Sequence, residues 1–336
     1  MIYPIIIGLA VVAYMLYSQL KGQKIPFDTL ELTTTAIFWL FIALLFMLSR
    51  DIGYIIRLRV LSENKISWLN AFRVIMLWEF TSAVTPSAVG GTTIAILFVH
   101  KENISLGESS AIVMATSLLD ELYFVLVFPL LFFIISPTEL FSFGGQTGVS
   151  FSNSFFYFAV IGYSLKLLWT IFMSYSLFVN PVFIKRFILK VFGLKFLRRW
   201  RKGARRTGID LVHNSEELKV KPFVFWIKAF LATAFSWTAR YWVVNALFLA
   251  FFIFDKSHFL LFARQLVMWI MMLVSPTPGG SGFSEFVFSE YLGDFLPEVA
   301  GVAVILAFLW RLYTYYPYLF IGAIIVPRWI KNKFGN

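Results

Sequence analysis

Residues 275–285 read SPTPGGSGFSE, inside a stretch from 259 to 293 that is otherwise predominantly apolar. Pro276, Pro278, Gly279, Gly280, Gly282, Ser284 and the acidic Glu285 do not belong together in an uninterrupted lipid-facing helix. Each proline removes a backbone donor and clashes with the preceding turn, and each glycine lowers helix propensity. The apolar segments on either side are too short to cross about 30 Å of hydrocarbon at about 1.5 Å per residue. Non-helical backbone at that depth is tolerated where it lines a cavity or is buried in protein. The stretch predicts a re-entrant hairpin whose tip lies near mid-membrane.

A second break has the same character. Residues 78–100 read WEFTSAVTPSAVGGTTIAILFVH, with Thr85, Pro86, Gly90, Gly91 and Thr92 interrupting the apolar region 66–100. A shift of 190 residues lays Val84-Thr85-Pro86-Ser87 on Val274-Ser275-Pro276-Thr277, and Gly90 on Gly280. Without a gap it also lays LLDELY, 118–123, on FLWRLY, 308–313, and so Glu121 on Arg311. Two hairpins of opposite orientation related by one offset are the pattern of an inverted repeat. Helices restarting at Thr92-Thr93 and at Ser281 to Ser284 would each leave about four backbone N–H groups free. With the helix dipoles, those groups predict an anion site, for a phosphate among others.

Composition agrees with a membrane setting. Of 336 residues 59% are hydrophobic and 14% charged, where soluble domains carry about a quarter charged, and the mean hydropathy is +0.79. The expected fold is an all-α polytopic membrane protein: one transmembrane domain over 1–336, with repeats at about 32–135 and 222–326. Six full crossings are expected near 2–20, 32–49, 109–135, 153–179, 222–254 and 298–326, plus the two oppositely oriented re-entrant hairpins. The first run has no basic n-region and no small-residue cleavage site, so it reads as a retained helix. The net charge of +11 is clustered, with ten Lys or Arg and no acid over 185–206. Arg50, Arg57, Arg59 and Lys65 form a second cluster, and Arg328, Lys331 and Lys333 a third. Basic short loops mark the cytoplasmic side, which places both termini on the cytoplasmic side of the cell membrane. The segment 181–221, opened by Pro181 and mixing apolar with basic residues up to Arg206, is expected to lie in the interface and attract anionic lipid. Nucleic-acid binding is disfavoured, because these basic and aromatic residues lie against a membrane.

Several chemistries are excluded. There is no cysteine, the three histidines are scattered, and no Walker A segment is present, so no metal, nucleotide or other cofactor is called for. What remains is charge at bilayer depth, which is costly and therefore paired or functional. Glu79, Asp120, Glu121, Arg240, Arg264, Glu285, Glu290 and Arg311 are the candidates. Glu285 suits a helix cap or a partner for a cationic headgroup. Arg311 and Glu121, on duplicated positions, suggest an ion pair across the pseudo-two-fold. Arg240 and Arg264 suit a bidentate phosphate clamp, or pairing with Glu79 and Asp120.

PTPGGSGFSE, followed by a crossing that carries an arginine and preceded upstream by TPSAVGG, resembles the lysylphosphatidylglycerol synthase transmembrane family, also described as flippase-like. The resemblance covers roughly 30 to 330 and implies a membrane domain that moves a phospholipid or polyisoprenyl-type lipid between leaflets. Members fused to an aminoacyltransferase also make the lipid; the sequence runs to Asn336 without such a domain, so synthase activity is not expected. The family's first motif carries a charge after its glycines, where VGGTTIAILF has hydroxyls only, which implies a different lipid preference. The expected function is a non-enzymatic lipid flippase driven by a lipid or ion gradient, with membrane lipids bearing anionic or lipid-linked headgroups as partners. A homodimer or a synthase are the protein partners such a module admits. The alternatives are a non-transporting partner of a lipid-modifying synthase or glycosyltransferase, and a headgroup-modifying enzyme limited to carboxylate acid–base chemistry.

Overall fold

The computed structural model describes residues 3–20, 27–85, 90–142, 149–194, 215–253, 257–272, 275 and 277–334, with isolated positions between 205 and 213. These residues are almost entirely helical. In chain order the helices are α1 (Tyr3–Leu20), α2 (Thr34–Leu61), α3 (Trp68–Val84), α4 (Gly90–His100), α5 (Leu106–Leu131), the one-turn α6 (Pro137–Leu140) and α7 (Val149–Ser174). A π-turn at Tyr175–Val179 extends α7. Then come α8 (Pro181–Val191), α9 (Phe223–Phe251), α10 (His258–Met272), α11 (Phe283–Leu292), α12 (Val302–Thr314) and α13 (Tyr316–Phe334). Among the described residues, four stretches are long and apolar enough to cross a membrane: Thr34–Leu61, Leu106–Leu131, Phe156–Val179 and Val302–Lys331.

The surface is apolar where a soluble protein would be polar. Along α2, Ile37, Phe38, Phe41, Leu44, Leu45, Leu48, Ile52 and Ile56 are all exposed. Their three- and four-residue spacing draws one outward stripe. Arg50 and Arg57, on the opposite face of the same helix, are 1% and 4% exposed. Charge inside and phenylalanine outside is the arrangement a bilayer favours.

The sequence expectation ended this crossing at residue 49 and read Arg50 and Arg57 as cytoplasmic anchors. The structure corrects both points. α2 is 28 residues long, N-capped by Thr33, whose hydroxyl accepts from Ala36 N at 3.1 Å, and continues to Leu61. The arginines do not stop it because they turn inward and find partners. The expected single crossing at 298–326 corresponds to the stretch Val302–Lys331, interrupted at Tyr315, whose φ/ψ of −134/−58 breaks the helix between α12 and α13. Pro317 lies two residues beyond, cannot donate to the turn before it and crowds that turn.

The main seam joins α2 to α9, and the two run antiparallel. Phe46 meets Trp242, Ser236 Oγ donates to the Arg50 carbonyl at 3.0 Å, and Lys221 pairs with Glu63 at 2.7 Å, so rising numbers on α2 meet falling numbers on α9. Ala229, Ala232, Thr233, Ser236 and Ala239 form a buried small-residue stripe on α9, which lets backbones approach closely. Gly53 sits against it, where a Cβ would lie 3.0 Å from the Ala232 carbonyl oxygen. Shifting α2 by 190 gives 224–251, beside Phe223–Phe251 for α9. The same shift takes α3 to 258–274, beside His258–Met272.

Gly53→Val is therefore expected to wedge this seam apart and destabilise the fold by about 1–3 kcal/mol. Thermal unfolding of the detergent-solubilised protein reads this directly, and an unchanged midpoint would show that the seam yields without penalty.

Candidate functional site

The two sequence breaks meet. α3 ends at Val84 and α4 begins at Gly90, while α10 ends at Met272 and α11 begins at Phe283. Between them the Gly279 amide donates to the Thr85 carbonyl at 3.4 Å. Tyr315, at the α12–α13 break, donates its hydroxyl to the Ala83 carbonyl at 2.9 Å and lies 3.0 Å from Ser281 Oγ. Gly279 has φ +57, and a Cβ there would lie 2.6 Å from the Ala83 carbonyl oxygen. Only glycine fits both that backbone and that approach.

The chain itself occupies much of the expected anion cradle at the start of α11. The amides of Gly280, Ser281, Ser284 and Phe286 donate to the carbonyls of Thr277, Pro278, Gly280 and Gly282. The Gly282 amide donates to Glu285 Oε2 at 2.8 Å. Glu285 is fully buried and acts as the helix cap, and its other oxygen lies 3.2 Å from Arg311 Nε. Short turns satisfy their own donors here, so the start of α11 offers none of these five amides to a ligand. The corresponding turn before α4 lies outside the described residues, as do Pro86 and Pro276.

A cavity of about 370 Å³ opens beside this junction, lined from α2, α3, α4, α5, α9, α10, α11, α12 and α13. Its polar wall starts on α2, where Arg50, Tyr54 and Arg57 share one face at i, i+4 and i+7. Arg50 bonds Asp51 at 2.7 Å, Glu79 at 2.5 Å and the Tyr318 hydroxyl at 2.9 Å. Arg57 bonds Asp120 at 2.5 Å and Thr233 at 3.2 Å. Trp237 Nε1 donates to the same Asp120 oxygen at 2.7 Å. The Tyr54 ring is flanked by both guanidiniums, at 4.4 and 4.5 Å. Arg311 donates to the Gly279 carbonyl at 2.8 Å and stacks on Tyr315 at 3.5 Å. Positions related by the 190-residue shift line the cavity in pairs: Arg50 with Arg240, Ile75 with Gln265, Trp78 with Met268, Glu79 with Trp269, Ser82 with Met272, and Asp120 with Trp310.

Of the residues picked from sequence, Glu79, Thr92, Asp120, Arg240, Gly279, Gly280, Ser284 and Arg311 line this cavity. Thr85, Gly282 and Glu285 stand behind it at the junction, Pro278 is part of the turn that bonds back on itself, and Gly91 packs α4 on Ser82 of α3. Gly90 opens α4. Two expectations are corrected. Glu121 pairs with Lys166 at 2.5 Å and Arg311 with Glu285, so they do not bond each other across the two-fold. Arg264 is held by Asp294 at 2.6 Å and by the Glu139 carbonyl at 2.9 Å, away from the cavity. Each cation took the nearest carboxylate on a packed neighbouring element. The residues missed were Arg50, Tyr54, Arg57, Trp237, Trp269 and Tyr318; the i, i+4, i+7 spacing on α2 was the signal that could have found the first three.

A helical membrane protein with outward phenylalanines and leucines around an inward, arginine-lined cavity is the class these features define. Comparison with known proteins makes the assignment finer. The family model for the lysylphosphatidylglycerol synthase TM region matches residues 2–322, and the chain belongs to that family. It is also similar to a UPF0104 membrane protein of Archaeoglobus fulgidus, 27% identical over 306 residues and covering 88% of each chain.

Arg311→Met leaves the fully buried Glu285 carboxylate without its cation, and is expected to cost about 3–5 kcal/mol of stability. Adding Glu285→Gln removes the stranded charge and should restore most of that loss, measured as unfolding midpoints for the two single variants and the double. Additive effects would show that the pair is not coupled.

Proposed function

We propose that the protein moves a lipid between leaflets, its headgroup passing through the central cavity while the acyl chains stay in the surrounding bilayer. In this reading the chain makes six full crossings in the cell membrane with both termini cytoplasmic. The helix pairs α3–α4 and α10–α11 are re-entrant hairpins entering from opposite sides, within repeats spanning about 32–135 and 222–326. The observation that carries the reading is a cavity lined by Arg50, Arg57, Arg240 and Arg311 at the place where both broken helix pairs meet. Its walls are polar where a headgroup would sit, and the outer faces of α2 and α7 are apolar where acyl chains would lie. The antiparallel α2–α9 seam, and helix bounds that recur after 190 residues, support the inverted repeat. Membership of a family of membrane domains linked to lysylphosphatidylglycerol supports a lipid-related role. The substrate is then a phospholipid or a polyisoprenyl-type lipid.

The test is reconstitution in liposomes with fluorescent phospholipids and a membrane-impermeant quencher. Movement between leaflets above the protein-free rate is expected, with mass spectrometry showing the lipid chemically unchanged. Glu79→Gln or Arg57→Gln, each breaking a charge-assisted bond in the cavity wall, should slow movement at least about tenfold. Transfer no faster than in empty liposomes would sink the transport reading, and a modified headgroup would point to an enzyme instead.

A further inference from the structure

The shift of 190 residues lays Arg50 on Arg240, and both line the cavity, yet their surroundings differ. Arg50 is neutralised by Asp51 and Glu79. The same shift lays those two acids on Tyr241 and Trp269, neither of which is anionic at neutral pH. Arg240 accordingly has no carboxylate within 4.0 Å among the described residues, and its guanidinium makes no hydrogen bond there. Its neighbour is the face of Trp237, 5.5 Å from the guanidinium carbon. The other three cavity arginines each hold an acid: Asp51 and Glu79 on Arg50, Asp120 on Arg57, Glu285 on Arg311. The duplicated cation is matched in one half and bare in the other.

A guanidinium cannot shed its proton on burial as a lysine can. An unmatched one at bilayer depth is costly unless water or an anion solvates it. Its planar fork suits two oxygens of one phosphate, and Trp237, Tyr241 and Trp269 line the same cavity with aromatic walls. We infer that Arg240 is the cavity's phosphate-binding residue, taking the phosphodiester of a lipid headgroup or a free phosphate anion. The lipid form of this inference rests on the proposed passage of headgroups through the cavity.

The experiment is titration calorimetry on the full chain in non-ionic detergent. Three probes are used: a short-chain phosphatidylglycerol, the matching short-chain diacylglycerol that lacks the phosphate, and inorganic phosphate. The wild-type chain is expected to bind the phosphate-bearing lipid and not the diacylglycerol. R240Q should weaken that binding at least about tenfold. R240K, which keeps the charge but not the fork, should fall between. R328Q, which removes an exposed cation on α13, should bind as wild type, and unfolding midpoints show which variants are folded. Equal binding by R240Q and wild type, or equal binding of the lipid and the diacylglycerol, overturns the inference. Binding of inorganic phosphate with the same dependence on Arg240, and no preference for the lipid, assigns the site to a soluble anion. The same variants in the leaflet assay separate the two proposals. Phosphate binding through Arg240 without lipid movement overturns transport and leaves the site standing. Lipid movement with binding unaffected in R240Q overturns the site and leaves transport standing.

Discussion

An arginine placed inside a helix bundle must be met by an anion, by water or by an aromatic face, because its charge cannot be titrated away. That constraint organises this protein around α2. Arg50 and Arg57 lie on one face of a 28-residue helix whose other face is exposed leucine, isoleucine and phenylalanine. Turning the arginines outward would expose two cations to lipid, and turning them inward requires partners from other helices. Those partners come from α3 as Glu79, α5 as Asp120, α9 as Thr233, and α13 as Tyr318. Four elements far apart in sequence are thus drawn around one helix. The space they cannot fill becomes the cavity.

The broken helices answer a second constraint, that buried backbone groups be satisfied. The chain does this at 277–286 with tight turns, positive-φ glycines and the Glu285 cap. The consequence runs against a simple dipole argument. A helix start binds an anion only through amides that are spare, and here those of Gly280, Ser281, Gly282, Ser284 and Phe286 are bonded within the chain. The charged groups lining the cavity are side chains: Arg50, Arg57, Glu79, Asp120, Arg240 and Arg311. Tyr315 holds the arrangement by reaching Ala83 on one side and Ser281 on the other with a single hydroxyl. Its own helix is broken to place it there.

Much of this was legible in the sequence, and the failures have physical causes. SPTPGGSGFSE and TPSAVGG announce their breaks because proline and glycine act locally, and the chain's neighbours cannot overrule a missing donor. The outward face was legible as hydropathy. The partners of the charges were not, since pairing depends on which helices pack. Glu121 finds Lys166 on α7 and Arg311 finds Glu285 on α11, pairings that the 190-residue offset does not indicate. Arg50 and Arg57 misled in a different way. Density of basic residues near Arg59 and Lys65 looked like a loop, although Tyr54 between them kept a helical face. The sign of a charge is read from sequence; whether it faces a loop or a cavity is decided by its periodicity.

In the repeat reading, duplication would supply the same side chains twice and line the cavity symmetrically. The lining departs from that in one direction. Where the first half has Glu79 and Asp120, the second has Trp269 and Trp310. The acids sit on the side of α2, and indole rings occupy the corresponding places beside α9. The α2 side of the cavity thus carries the Arg50 and Arg57 ion pairs, while beside α9 aromatic rings surround Arg240, which has no carboxylate within 4.0 Å among the described residues. Helix bounds that recur after 190 residues can thus coexist with side chains that differ between the two halves. Symmetry in the backbone and asymmetry in the side chains are therefore compatible demands, met by different atoms.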